Sequence, residues 1–117
     1  YNVGGNAERT NMQMVDALCD ALELAAPAAA NPKLQAGGVA RYHDLKTFVA
    51  DRPGHDRRYA IDASKIARDL DFRPSRTFEQ GIAETVAWYL ANRSWCAEVT
   101  RDTYDRQRLG LKEPAAR

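Results

Sequence analysis

The sequence contains few cysteines, and they are far apart. Cys19 and Cys96 are its two thiols in 117 residues. Neither belongs to a Cys-x-x-Cys or Cys/His spacing, so the sequence supports neither a disulfide framework nor a zinc site. Free thiols are typical of proteins in a reducing compartment, and we therefore expect a cytoplasmic location.

Long apolar runs and an excess of one charge are also missing. No stretch approaches the roughly 18 apolar residues of a membrane helix, and the N-terminus lacks the pattern of a signal peptide. Seventeen Lys and Arg residues face sixteen Asp and Glu residues, which leaves a net charge of +1. This balance argues against binding of bulk nucleic acid through an overall field. We expect neither a membrane nor a nucleic acid as partner.

What is present is the composition of one soluble globular domain, with 44% hydrophobic and 28% charged residues. The sequence begins at Tyr1 rather than Met, and Tyr1–Gly5 has the pattern of a strand that runs into a turn. We therefore expect residues 1–117 to be one domain taken from a longer protein.

Three stretches carry helix signals. Thr10-Asn11-Met12-Gln13 and Thr77-Phe78-Glu79-Gln80 both fit a capping box, and a stop is predicted at Asn92. Asp62 or Ser64 is expected to cap a shorter helix through Leu70. Apolar residues at helical spacing predict an apolar stripe after the first capping box and a buried stripe after the second. These stripes are Val15, Leu18, Leu22 and Ala25 in the first helix and Phe78, Ile82, Val86, Tyr89 and Leu90 in the last.

Short strands are predicted between the helices. Thr47–Val49 and Arg58–Asp62 are β-prone runs on either side of a polar loop. Residues 26–40 are rich in Ala, Pro and Gly and predict a surface connection of variable length. The expected fold class is α/β: a small helix-rich domain whose short strands cannot form a substantial sheet alone.

Two places could hold a phosphorylated ligand. Gly4-Gly5 offers amides for phosphate oxygens before a helix, although a tight turn explains the same glycines. Asn11 is either a cap residue or a ligand contact. The loop Asp51-Arg52-Pro53-Gly54-His55 gathers donors for phosphate and ribose in a turn stiffened by Pro53. A solvated charged loop is the alternative interpretation.

Two further patterns are expected to have no chemical role. Tyr42-x-x-x-Lys46 matches the acid/base pair of short-chain dehydrogenases, but it follows Gly37-Gly38 and has no cofactor loop nearby. Trp88, Tyr89 and Trp95 are more simply core or interface aromatics than a base-stacking platform.

Three segments carry a resemblance to a known family. They are Tyr1–Gly5 with Glu8, Arg9 and Asn11, then Phe48–Ile66, then Thr85–Asn92. In this order they resemble the dTDP-glucose 4,6-dehydratases, a family of extended short-chain dehydrogenase/reductases, over nearly the whole chain. Residues 26–40 depart from the family pattern in length.

The resemblance implies a fold and a reaction. The family has an N-terminal Rossmann domain for NAD and a smaller C-terminal domain for the nucleotide sugar, and this chain resembles only the C-terminal part. The intact protein would convert dTDP-glucose to dTDP-4-keto-6-deoxyglucose and water with bound NAD, as a cytoplasmic homodimer. The isolated chain would be inactive, because the family's NAD loop and catalytic residues lie upstream of the matching segment.

The resemblance also implies the site residues. By matching position, Asn11 and the run Asp51, Arg52, Pro53, Gly54 and His55 would contact the dTDP-sugar. No catalytic, cofactor-binding or metal-binding residue is expected in this chain.

Two alternatives stay open. A sister nucleotide-sugar epimerase or decarboxylase would share the architecture but lack the Asp-Glu pair that the dehydration needs. A free-standing, non-catalytic nucleotide-sugar binding module would fold as a monomer with no exposed apolar interface. A fragment is expected instead to leave an apolar patch bare where the Rossmann domain packs.

Overall fold

The computed structural model describes residues 1–51, 53–54 and 60–101. This part of the chain is rich in helix, as predicted. The five α-helices are α1 (Asn11–Ala25), α2 (Pro32–Ala36), α3 (Ser64–Leu70), α4 (Phe78–Ala91) and α5 (Arg93–Thr100). Two short 3₁₀ helices span Ala28–Ala30 and Tyr42–Leu45.

The predicted strands are not found in the described ranges. Tyr1–Gly5, Thr47–Val49 and residues 60–62 have no strand structure, while Arg58 and Tyr59 lie outside the described residues. The first segment is held by side chains, not by a backbone ladder: the Tyr1 hydroxyl donates to Asp69 Oδ2 at 3.3 Å, and Asn2 Nδ2 donates to the Asp62 carbonyl at 3.4 Å. A β-prone run becomes a strand only where a second strand pairs with it. The helix-rich part of the fold prediction is therefore confirmed, whereas the described residues form none of the predicted strands.

The two capping boxes are confirmed. The backbone N–H of Gln13 donates to Thr10 Oγ1 at 3.2 Å, and the backbone N–H of Thr10 donates to Gln13 Oε1 at 2.8 Å. Thr77 and Gln80 repeat this exchange at the start of α4, at 3.2 and 3.0 Å. Asn92 ends α4, since its N–H and its Nδ2 both donate to the Trp88 carbonyl.

Helix α3 ends at Leu70 as predicted, but its N-cap is Ala63 rather than Asp62 or Ser64, and Ala63 has no side-chain cap. Asp62 Oδ1 accepts a hydrogen bond of 2.9 Å from the Ser64 N–H, which is the first amide of the helix. This bond is the main reason that the pKa of Asp62 lies below its ordinary value.

Glu23 connects α1 to two later segments. Its Oε2 accepts from the Ala28 N–H at 3.1 Å, and its Oε1 accepts from the Tyr42 N–H at 2.7 Å. Gln35 Nε2 adds hydrogen bonds to the Ala28 and Val39 carbonyls, at 3.1 and 3.2 Å. The segment predicted as a surface connection thus contains a 3₁₀ helix and α2.

A second anchor joins residues 43–46 to α1. Lys46 Nζ donates to Asp16 Oδ1 at 2.6 Å and lies 3.2 Å from His43 Nδ1. His43 Nε2 lies 2.8 Å from Asp20 Oδ1. The hydrogen bond from Lys46 is the main reason that the pKa of Asp16 is lowered, and partial desolvation opposes it.

The core of the described residues is small and is made mainly of small side chains. Its buried apolar residues are Cys19, Ala21, Ala28, Ala63, Ile66 and Val86. The predicted stripes are only partly covered, because Val15 is 37%, Leu18 is 40% and Tyr89 is 50% exposed. The prediction that Tyr89 is buried is wrong, because half of this side chain stays exposed in the described part of the chain.

We expect Glu23→Ala to lower the free energy of unfolding by about 1–3 kcal/mol, because two backbone amides lose their acceptors. Glu23→Gln keeps one oxygen and should cost less. The measurement is urea unfolding, with hydrogen exchange at the Tyr42 amide as the local readout. Glu84→Ala is the matched control, since Glu84 makes an exposed ion pair with Arg76. An equal loss in Glu23→Ala and Glu84→Ala would contradict the role given to Glu23.

The lowered pKa of Asp16 predicts a dependence of stability on pH. A carboxyl whose pKa is depressed in the folded state stabilises the protein above its unfolded pKa, about 3.9, and this stabilisation is lost as pH falls through the folded value. Lys46→Met should raise the pKa of Asp16 and weaken the loss of stability over this acid range. The test is an NMR titration of carboxyl groups. Asp62 is the control, because its pKa depends on Ser64, and a Lys46→Met protein with an unchanged Asp16 titration would overturn the assignment.

Candidate functional site

Asn11 lies at the exposed N-terminal end of α1. The N-cap is Thr10, so Asn11 is the first helical residue and its side chain is not used as a cap. Its amide group makes no hydrogen bond within the described residues and is exposed. Asn11 can therefore offer both a donor and an acceptor to a ligand.

The structure describes three of the five residues of the polar loop Asp51–His55. Asp51, Pro53 and Gly54 are exposed, and Pro53-Gly54 forms a turn in which Gly54 has φ +72°. A side chain at Gly54 would be strained by this positive φ, so the turn needs glycine. Arg52 and His55 lie outside the described residues.

The glycines near the N-terminus do not form the expected tight turn. Gly4 and Gly5 both lack a positive φ, and the positive value falls on Asn6, at 50°. Gly4 lies against Ile61, whose Cβ would be 3.5 Å from an added Cβ.

A cavity of about 420 Å³ lies beside Gly4 and α3. Its two cations are already paired: Arg68 Nε contacts Asp69 Oδ1 at 3.0 Å, and Arg73 contacts Asp71 at 3.8 Å. The cavity therefore combines polar lining with guanidinium groups that are partly neutralised by their neighbours.

In the Tyr42-x-x-x-Lys46 motif, the tyrosine hydroxyl and the lysine ammonium group contact different partners. The Tyr42 hydroxyl donates to the Ala26 carbonyl at 3.0 Å, whereas Lys46 pairs with Asp16 on α1. In an acid/base pair the lysine would act on the tyrosine hydroxyl. Here the two contacts fix the second 3₁₀ helix to α1, one at Asp16 and one at Ala26, directly after the helix.

Among the exposed apolar residues of the described part of the chain, two groups lie on helices and form surfaces. Val15 and Leu18 follow Asn11 at spacings of four and seven residues, so the three lie on one face of α1. The second surface is an aromatic cluster on α4 and α5: Trp88 contacts Tyr89 and Trp95 edge to face, with ring centroids 5.2 and 5.1 Å apart. All three rings are about half exposed, so they are not core residues.

Two negative findings apply to the described residues. Within them, no helix has both the length and the apolar character needed to cross a membrane. The same residues contain no group of three or more His, Cys, Asp or Glu side chains placed to hold a metal ion.

Several curated relatives of the chain carry the same name. No family model matches the chain. The chain is 50% identical over 110 residues to the dTDP-glucose 4,6-dehydratase of Neisseria meningitidis serogroup B, covering 94% of this chain and 29% of that protein. It is 47% identical to the dTDP-glucose 4,6-dehydratase of Xanthomonas campestris, again over 94% of this chain and 29% of that protein. An Escherichia coli dTDP-glucose 4,6-dehydratase is 46% identical over 97% of this chain and 30% of that protein.

The chain thus spans less than a third of the length of these curated relatives. The resemblance predicted from three sequence segments is confirmed: over most of its length, the chain is similar to part of the dTDP-glucose 4,6-dehydratases.

Proposed function

We propose that this chain is the nucleotide-sugar-binding part of a dTDP-glucose 4,6-dehydratase. The observation that carries the proposal is the 50% identity to the Neisseria meningitidis enzyme across 94% of the chain. The exposure of Asn11, Asp51, Pro53 and Gly54 supports it, because these matching residues are accessible to a ligand.

The residues of this chain do not fit NAD. Gly4-Gly5 is followed by Asn6-Ala7-Glu8, which is not the dinucleotide fingerprint, and Gly4 packs against Ile61. We therefore assign NAD binding to a Rossmann domain elsewhere in the intact protein. Bound there, NAD supplies the redox chemistry by which dTDP-glucose becomes dTDP-4-keto-6-deoxyglucose and water.

The role of this chain is to bind the substrate through its dTDP group, which is remote from the reacting carbons of the sugar. The Asn11 amide and the Asp51–His55 turn bind the dTDP group, with Arg52 and His55 as donors to diphosphate oxygens. Binding energy from such remote groups orients the sugar for reaction.

A free-standing binding module fits the structure less well. Val15, Leu18, Trp88 and Trp95 are each more than a third exposed. A self-sufficient domain would cover such neighbouring apolar side chains. We propose that the rest of the enzyme covers them, and that the intact protein is a cytoplasmic homodimer.

Replacing Asn11 should separate ligand binding from stability. In the full-length protein, Asn11→Ala should weaken dTDP binding roughly 3- to 10-fold, because one or two ligand hydrogen bonds are lost. Stability should not fall, since Ala is the better helix former and Asn11 is not the cap. The measurements are calorimetric titration with dTDP and thermal unfolding.

Asn31→Ala is the matched control for Asn11→Ala. The Asn31 side chain caps α2 by accepting from the Lys33 N–H at 3.1 Å. Its removal should lower stability by about 1 kcal/mol and leave dTDP affinity unchanged. Unchanged dTDP affinity and turnover in Asn11→Ala would remove Asn11 from the site.

Tyr42→Phe tests the short-chain dehydrogenase motif. We expect turnover of dTDP-glucose to stay within about twofold, whereas loss of a catalytic acid/base group lowers it by 10²-fold or more. Stability should fall by about 0.5–1.5 kcal/mol, because the Ala26 carbonyl loses its donor. Tyr89→Phe is the control for an exposed phenol. A hundredfold loss of turnover in Tyr42→Phe alone would make Tyr42 catalytic.

A further inference from the structure

Arg9 makes three contacts just before the start of α1. Its Nη2 lies 3.2 Å from Glu79 Oε1, and its guanidinium carbon lies 4.9 Å from the centre of the Phe78 ring. Its Nη1 donates to the Glu8 carbonyl at 3.0 Å. The Arg9 side chain is 33% exposed. The guanidinium group therefore already has an anion, an aromatic face and a carbonyl as partners.

These contacts join the N-terminal ends of two helices. Phe78 and Glu79 are the first two residues of α4, directly after its Thr77 cap. The pKa of Glu79 lies below its ordinary value, chiefly through its own backbone amide and further through Arg9. A charged Glu79 near the start of α4 is also favoured by the helix dipole. The Glu79 carboxylate, whose side chain is 71% exposed, is thus the anion on α4 with which Arg9 pairs.

Arg9 is separated from Asn11 by a single residue, the cap Thr10. The backbone on one side of Asn11 is fixed by the Thr10–Gln13 capping box. The backbone that enters the cap is fixed by Arg9 on α4. Together the two restraints determine where the exposed Asn11 side chain is presented.

We propose that Arg9 is a positioning residue for ligand binding at Asn11. This inference rests on the proposed function. Arg9 acts by holding the start of α1 against the start of α4, so that the Asn11 amide meets the dTDP-sugar without further ordering of the chain. Its own guanidinium does not contact the ligand.

A role in stability alone is the competing explanation, and α4 supplies a control for it. Arg76 makes an ion pair of 2.8 Å with Glu84, and both side chains are more than half exposed. Exposed pairs of this kind contribute little to stability. Arg76→Ala removes a similar ion pair at the start of α4 but none of the Arg9 contacts with α4.

The test measures KM, kcat, dTDP affinity and thermal stability in the full-length protein. Arg9→Ala should raise KM for dTDP-glucose and the dTDP dissociation constant by the same factor, about 3- to 10-fold, with kcat within about twofold. Arg9→Lys keeps the charge beside Glu79 and should restore part of the affinity. Arg76→Ala should leave both constants unchanged. Equal effects of Arg9→Ala and Arg76→Ala would overturn the proposal.

A double-mutant cycle distinguishes this inference from the proposed function. If Arg9 acts through Asn11, adding Arg9→Ala to Asn11→Ala should raise KM by less than about twofold. Fully additive effects would show that Arg9 acts by another route and would overturn the proposal. Asn11→Ala with wild-type KM would overturn the assignment of Asn11 and this inference together. A raised KM in Asn11→Ala with wild-type KM in Arg9→Ala would overturn this inference alone.

Discussion

The Glu23 carboxylate is the contact on which the path of the chain after α1 depends. Its two oxygens accept from amides five and nineteen residues away, at Ala28 and Tyr42. Small side chains such as Cys19, Ala21 and Ala28 make up much of the core, so buried apolar area is limited. Polar contacts must therefore determine where residues 26–46 lie.

Local signals were predicted well because they are complete within a few residues. The Thr10–Gln13 box is specified by a hydroxyl and an amide three residues apart, and both hydrogen bonds form as expected. The contact between Glu23 and Tyr42 has no local signature, because its two partners meet only after the chain has turned back onto α1. β-propensity failed at Thr47–Val49 for the same reason, since a strand is specified by its neighbour as much as by its own residues.

Periodicity predicts which face of a helix is apolar, but it does not predict what covers that face. Val15, Leu18 and Tyr89 lie at the predicted spacing and remain exposed, whereas Cys19 and Ala21, which were not in the predicted stripe, are buried. In the candidate site, too, the sequence predicts the local features but not the contacts between distant residues. The place of Asn11 as first helical residue, rather than cap, follows from the Thr10–Gln13 box, a local feature. The attachment of Arg9 to Phe78 and Glu79 joins residues about 70 positions apart, and no spacing rule would have found it.

The position of Asn11 on α1 links ligand binding to the exposed apolar surface. Asn11, Val15 and Leu18 share one face of α1. A ligand at Asn11 would therefore lie beside a domain that packs on Val15 and Leu18. Ligand sites are common at such domain boundaries. Under the proposed function, the substrate would touch both this chain and the NAD-binding domain. Binding energy gained at Asn11 would then also favour the packed arrangement of the two domains, because the ligand binds that arrangement and not the separated parts.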